Sequence, residues 1–170
     1  MNIYEAVKKR YSCRNYQNKL IEREKLDRVL EAARLSPSAK NLQDWRFVVV
    51  TEESTKQKVA KAAREQMFLA KAAAIIVACS NSDYVMSCGQ PIAGIDVAIA
   101  LEHIALAAVQ ESLATCWIGS FDTEQVREVL GIPEGIEIIE LMSLGYPADK
   151  ESHTSRESIK TIVSYEKWRF

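Results

Sequence analysis

The sequence predicts a single α+β domain, and three observations carry that reading. A chain of 170 residues suits one hydrophobic core. Two short runs rich in β-branched and apolar residues, at 46–51 and 72–80, read as strands buried in a sheet. The segment from Ala93 to Ala114 is apolar nearly all round and rich in alanine, so it reads as a central helix that other backbones can approach closely.

The elements follow in order. Ile3, Ala6, Val7 and Arg10 fall at helical spacing and give a short first helix, which ends where the run from Arg10 to Tyr16 loses the period. Leu26, Val29, Leu30 and Ala33 place an apolar stripe on a second helix, stopped by Pro37. Arg46 to Thr51 form the first strand, expected to be covered on both faces. Ser54 and Gln57 make a capping box for a third helix running to about Arg64. Ala72 to Ser80 form a second, fully buried strand, and the central helix comes next. Cys116 to Ser120 form a short strand, after which Asp122 caps a helix that Gly131 and Pro133 terminate. Ile136 to Leu144 form a further strand, and Ala148 to Arg156 a polar loop. Ile159 to Glu166 regain β character, bringing the count to about five strands.

Composition narrows the function. The 22 basic and 23 acidic residues nearly cancel, so nothing calls for a nucleic-acid partner. Cys13, Cys79, Cys88 and Cys116 lie far apart, without zinc-site or disulfide-scaffold spacing, and read as reduced thiols in a cytoplasm. The N-terminus is charged where a signal peptide would need an apolar core. Asp96, Glu102 and His103 interrupt the most apolar stretch, which argues for a buried helix and against a membrane span.

Three segments hold candidate chemistry. Arg10, Ser12 and Arg14 alternate where helix gives way to extended chain, and two guanidinium forks with a hydroxyl suit a phosphate; a solvated basic patch is the plainer alternative. The loop from Ser36 to Trp45 gathers hydroxyls, amides and an aromatic just before a strand, where α/β folds place ligand contacts, although helix capping would explain half of them. His103 reads as a core residue and His153 as an exposed one, so no hydrolytic triad or metal set can be assembled. Neither GxGxxG nor GxxxxGK[ST] occurs, so any phosphate is held without those motifs. Trp168 and Phe170 follow the last strand and need covering, by a partner subunit or by their own domain.

Taken together, Arg10-Tyr11-Ser12-Cys13-Arg14, the run from Ser36 to Phe47, Trp117-Ile118-Gly119 and Leu144-Gly145-Tyr146-Pro147 resemble the FMN-dependent nitroreductase family in order and spacing, essentially end to end. The resemblance implies a nitroreductase-like mixed or antiparallel sheet flanked by helices, in an intertwined homodimer whose C-terminal strand packs on the partner. It also implies non-covalent FMN at the subunit interface, with NADH or NADPH as donor. Hydride then passes to flavin N5 and on to a small acceptor such as a nitroaromatic, quinone or activated alkene in a ping-pong cycle. On the family pattern Arg10 and Ser12 hold the phosphate with Arg156. Arg14 lies near flavin N1 and O2, while Pro37, Ser38, Ala39 and Asn41 line the flavin from the partner subunit. Ile118 and Gly119 touch the isoalloxazine, with the Gly119 N–H directed at N5. Gln66 matches a family amide or a plain surface helix position. No side chain is assigned as catalytic, and no metal is implied.

Two departures qualify the match. Asp44 stands where many members have proline, which predicts a more flexible loop, and the chain is shorter than members that carry a helical excursion over the site. The segment from Asn81 to Pro91 is the remaining candidate to cover the flavin. A flavin-binding or redox-sensing module without catalysis, and a specialised branch performing flavin fragmentation or reductive dehalogenation, stay open as alternatives.

Overall fold

The computed structural model describes residues 1–150 and 154–170; the expectation for His153 falls outside the described residues. The strict alternation of one strand sets the plan. In the strand running from Ala74 to Ser80, Ala74, Ile76 and Ala78 enter one core while Ile75, Val77 and Cys79 enter another. Covered on both faces, this strand is a continuous apolar run.

The described sheet has four strands, β1 Trp45–Val50, β2 Ala74–Ser80, β3 Ala114–Ile118 and β4 Glu137–Gly145, all antiparallel in the order β1-β2-β4-β3. Helices α1 Ile3–Lys9, α2 Arg23–Arg34, α3 Glu53–Ala62, α4 Phe68–Lys71, α5 Ala93–Gln110, α6 Thr123–Leu130 and α7 Ile159–Ile162 complete the chain. One core joins α2 and α5 to a sheet face through Val29, Leu101, Ile104, Met142 and Leu144; α3, α4 and α6 cover the other through Val59, Leu69, Val126 and Leu141. The fold is therefore the predicted α+β, with helices on both sides of an antiparallel sheet.

Among the described helices, α5 alone is long and apolar enough to cross a membrane by length and composition, yet its Val97, Ala100, Leu101, Ile104 and Ala105 are wholly buried against the sheet and α2. It is the core helix of the domain.

Several boundaries differ from the sequence reading. β1 is an edge strand, so Arg46 is exposed and Phe47, Val48 and Val49 are only half covered. α5 stops at Gln110, four residues early, because Ser112 takes φ 61° and lets the Leu113 N–H reach back to the Ala108 carbonyl at 2.8 Å. The turn itself is polar, Gln110-Glu111-Ser112, but apolar residues resume at Leu113 and Ala114, so the helical run reads past it. The segment from Ile159 to Glu166 forms no strand in the single chain: Ser158 caps the one-turn helix α7 by accepting from Lys160 N, and the segment pairs with none of the four described strands. α6 begins and ends as expected, with Asp122 accepting from Gln125 N and Gly131 in the left-handed region at φ 63°.

The cap of α3 is also reassigned. Glu52, rather than Ser54 with Gln57, closes the first turn: its carboxylate accepts from Ser54 N at 3.1 Å, Thr55 N at 2.7 Å and both hydroxyls. These donors hold the Glu52 carboxyl at about 2, below the usual 4.5. The stabilisation is thus present above the ordinary carboxylate range and is lost as pH falls toward 2. Replacing Glu52 by alanine should lower the melting temperature near neutral pH, and the gap to the parent chain should close as pH approaches 2. A gap that stays constant with pH would show that the carboxylate is not the cap.

Candidate functional site

The first candidate segment is an extended strap along β3. Arg10 closes α1 with extended backbone, Ser12 forms a parallel bridge with Thr115, and Cys13 N donates to Thr115 O at 2.9 Å. Cys13 points into the protein, which turns Ser12 and Arg14 outward, both exposed. The expected convergence on one side is present for these two residues. They flank the Cys116 thiol: burial pushes that thiol up, while the Arg14 charge and a Ser12 hydrogen bond oppose it. Arg10 Nε lies 3.8 Å from Glu102 Oε1 on α5, so part of its charge is met within the chain. Arg156 bonds only to its neighbours Thr154 and Ser155 among the described residues, and the structure does not bring it to Arg10 or Ser12.

The second segment is the loop between α2 and β1. Lys40, Asn41 and Gln43 take φ of 51°, 56° and 53°, three left-handed non-glycine residues within one short turn. Each such conformation costs free energy and persists only where surrounding bonds impose it. Those bonds are visible. Ala39 N donates to Asp96 Oδ2 at 3.0 Å, Gln43 N to Ser38 Oγ at 3.0 Å, and Arg46 Nη1 to Gln43 O at 3.1 Å. Pro37 and Asn41 are exposed, and Ser38 and Ala39 half-buried. The loop is thus braced, against the flexibility expected from Asp44, which is itself only 7% exposed and packed inward.

The same end of the sheet carries the third group. β1 starts there, β2 ends at Ser80 and β3 ends at Ile118, followed by exposed Gly119. Ile118 is buried, so it supports the strand end from below. A Cβ at Gly119 would stand 3.4 Å from Glu140 Oε1, so a half-buried carboxylate sits beside this open backbone. Burial pushes the Glu140 carboxyl up, partly offset by a hydrogen bond with the Ile118 backbone. Gln66 lies in the turn between α3 and α4, not on a helix, and its amide donates to Ala63 O at 2.8 Å and Ser120 O at 3.0 Å. It therefore braces the chain just past Gly119. The segment 81–91 folds back through the Val85–Pro91 bridge, and Lys40 Nζ lies 4.3 Å over the Tyr84 ring, tying it to the braced loop.

Sequence reasoning did not assign Asp96, Glu140 or the buried face of Asp44 to this site. The one available signal for Asp96 was a lone acid in the first turn of an apolar helix. His103 is structural as expected, with Nδ1 3.3 Å from the Ala32 carbonyl on α2.

Among the described residues Asp44 Oδ1 is buried without a hydrogen-bond partner, while Oδ2 accepts from Ser80 Oγ at 3.4 Å. Burial first, and the neighbouring Asp44 charge after it, push the Asp96 carboxyl up, against the Ala39 hydrogen bond. A raised carboxyl favours folding in its protonated form, so this contribution is lost as pH rises above the usual 3.8 through the folded value. Asp44→Asn, which removes the adjacent charge, should flatten the fall in melting temperature with rising pH. An unchanged slope would overturn the coupling.

Comparison with known proteins bears on these three groups together. The family model described as Nitroreductase family matches residues 7–92 and 66–146. An Archaeoglobus fulgidus protein whose name pairs NADH dehydrogenase with NAD(P)H nitroreductase is 36% identical over 149 residues, 84% of this chain and 83% of that protein. The crystal structure of a nitroreductase family protein from Clostridium difficile 630 superposes with TM-score 0.91 at 34% identity, covering 99% of this chain and 100% of that one. The NADPH:FMN oxidoreductase from Vibrio harveyi, complexed with NAD+, shares the fold with TM-score 0.91 at 23% identity, over 100% of this chain and 79% of that one.

Proposed function

The chain belongs to the nitroreductase family, and from that membership we propose that it is an FMN-dependent oxidoreductase fed by NADH or NADPH. One observation carries the reading: the family match spans residues 7–146, which include every proposed flavin contact except Arg156. The residues present fit the cofactor. Ser12 and Arg14 are exposed donors on a strap tied to β3, and Gly119 leaves backbone open at the strand end.

In this reading Arg10 and Ser12 hold the phosphate, with Arg156 joining them once the C-terminal segment is seated. The charge of Arg14 faces the pyrimidine edge, where it favours the anionic reduced ring. Pro37, Ser38, Ala39 and Asn41 line the cofactor on a loop already braced by Asp96, so little ordering remains to be done on binding. Gly119 N–H donates to the ring, kept accessible by Gln66 on Ser120. Tyr84 on the 81–91 segment helps to exclude water. Bound FMN would supply two-electron transfer from the nicotinamide to a small acceptor such as a nitroaromatic, quinone or activated alkene.

Within one chain the strap and the loop are held by different partners: Ser12 and Cys13 by Thr115 and Arg10 by Glu102, Ala39 by Asp96 and Gln43 by Ser38. That separation supports a site completed by two copies, each giving one half.

The test is an absorption spectrum of the purified chain with FMN, recorded anaerobically before and after NADH and then NADPH. Flavin bands that bleach are the expected result, and the faster donor identifies the preferred nicotinamide. Bands that persist would leave a flavin-binding module without reductase activity, and failure to take up FMN at all would overturn the assignment.

A further inference from the structure

A row across the sheet places a carboxylate among apolar residues. Phe47 on β1 pairs with Ala78 on β2, Ala78 pairs with Glu140 on β4, and Gly119, one residue beyond the Ile118–Leu141 pair, comes next to Glu140. Ala78 belongs to the core that α5 covers, and Phe47 packs against the same core. A sheet face packed on a core ordinarily carries apolar side chains. The local backbone is shaped around the exception. β2 and β4 shift register here: Ala78 pairs with Glu140 but Cys79 with Ile138, which leaves Ile139 as the extra residue of a β-bulge. Bulges re-aim the side chains beside them and are over-represented next to active sites. The neighbours of Glu140 in the row are alanine and glycine, so the carboxylate has room at the strand end and stays half-buried. Its Oε1 and Oε2 lie 3.4 and 3.6 Å from the point where a Gly119 Cβ would stand.

We propose that Glu140 is the proton store of the site: it takes up a proton from solvent when the flavin beside Gly119 is reduced, and gives it up when the flavin is reoxidised. The proposal rests on the FMN reading above, in which the Gly119 N–H is directed at the ring, and adds a residue to it. Hydride from the nicotinamide brings the ring an N–H bond and a negative charge; the proton forms an O–H bond on Glu140 and offsets that charge. When the hydride passes on, the proton leaves Glu140 and reaches the reduced acceptor through solvent, so each cycle consumes nicotinamide, acceptor and one proton. Burial already pushes the Glu140 carboxyl up, against a hydrogen bond with the Ile118 backbone, and a new negative charge nearby acts in the same direction as burial. The ionisable groups on the surrounding elements are otherwise engaged. On α5, Asp96 accepts from Ala39 N, Glu102 faces Arg10 and His103 meets the Ala32 carbonyl. Arg46 on β1 bonds to Gln43 O and Trp45 O, and Cys79 on β2 and Cys116 on β3 face the opposite core. Glu137, at the start of β4, is exposed. The Arg14 charge keeps the pyrimidine edge anionic in the same reading, which leaves Glu140 to take the proton.

The test uses the full chain loaded with FMN, beside Glu140→Gln, which keeps the shape and cannot ionise. Anaerobic reduction by NADH in weak buffer with a pH-indicator dye counts the protons taken up, because hydride transfer itself consumes none. The expected result is uptake approaching one proton per flavin in the parent chain, its loss in Glu140→Gln and its recovery in Glu140→Asp. The flavin potential of Glu140→Gln should also depend less steeply on pH. A reduced-minus-oxidised infrared spectrum of the parent chain, reduced at an electrode and carrying carbon-13 in its glutamate carboxyls, checks the assignment without a variant. A protonated-carboxyl band that grows on reduction and moves with the label is expected. Bound flavin that is reduced with no such band and no proton uptake, or with uptake unchanged in Glu140→Gln, overturns the proton store while leaving the FMN reading standing. A parent chain that takes up no FMN overturns both.

Discussion

Alanine in place of Arg14 should weaken FMN binding by about 10- to 100-fold, the loss expected for one hydrogen bond from a charged donor worth ~1.5–3 kcal/mol. It should also lower the reduction potential of the bound flavin. The argument begins with position. Cys13 is anchored inside by its N–H to Thr115, so Arg14 is turned outward from a fixed strap rather than carried on a mobile end. Its charge does not create that geometry, and its removal should leave the fold intact. A positive charge beside the pyrimidine edge stabilises the reduced, anionic ring more than the oxidised one, so affinity and potential should fall together. Arg14→Lys separates the two contributions: it keeps the charge and loses the planar fork, so most of the potential should return while part of the affinity does not. Fluorescence titration of FMN and a redox titration against a dye measure each quantity. Unchanged values for both in Arg14→Ala would remove the residue from the site.

Legibility in the sequence followed the range of the interactions. β2 and the ends of α6 could be read directly, because a short continuous run of apolar and β-branched residues, the Asp122 cap and Gly131 are local signals. The outward alternation of Ser12 and Arg14 on a strap was also legible, without Arg10, but the partner that makes it a strap, Thr115, is more than a hundred residues away. The cap of α3 was missed because glutamate is a poor N-cap by frequency; four donors converge on Glu52 only once the turn is formed. The braced loop was missed for a similar reason, since no pattern in Ser38 to Gln43 reveals three left-handed residues held by an aspartate on another helix. The β character of Ile159 to Glu166 is real in composition, but a strand needs a partner, and within one chain this segment pairs with none of the four described strands.

Alanine at Gly145 is expected to produce the largest loss of stability among single changes near the site, and it explains a family-like motif by packing. Gly145 ends β4 in the run Leu144-Gly145-Tyr146-Pro147. A Cβ there would lie 2.9 Å from Tyr16 Cδ1 and 3.0 Å from the Ala73 backbone nitrogen. The Ala73 contact is with main chain of the segment leading into β2 and cannot swing aside, so Tyr16 must move. Tyr16 is only 6% exposed, and its hydroxyl bonds to Cys13 O at 2.9 Å and Ser143 Oγ at 2.7 Å. Burial pushes its phenol far up, which keeps the hydroxyl protonated and able to donate. Displacing the ring costs ~1–3 kcal/mol in overpacking and, where a buried polar group loses its partner, a further ~1–3 kcal/mol. Because the Tyr16 hydroxyl pins Cys13, the residue between Ser12 and Arg14, the same change should loosen the strap and weaken FMN binding without touching the cofactor. Tyr16→Phe removes the hydroxyl but leaves the ring in place, so it should cost less stability than Gly145→Ala while affecting the strap in the same direction. Urea denaturation with FMN titration of the two variants distinguishes these roles. An unchanged denaturation midpoint in Gly145→Ala would mean that the close approach to Tyr16 relaxes at no cost, and the glycine would then need another explanation.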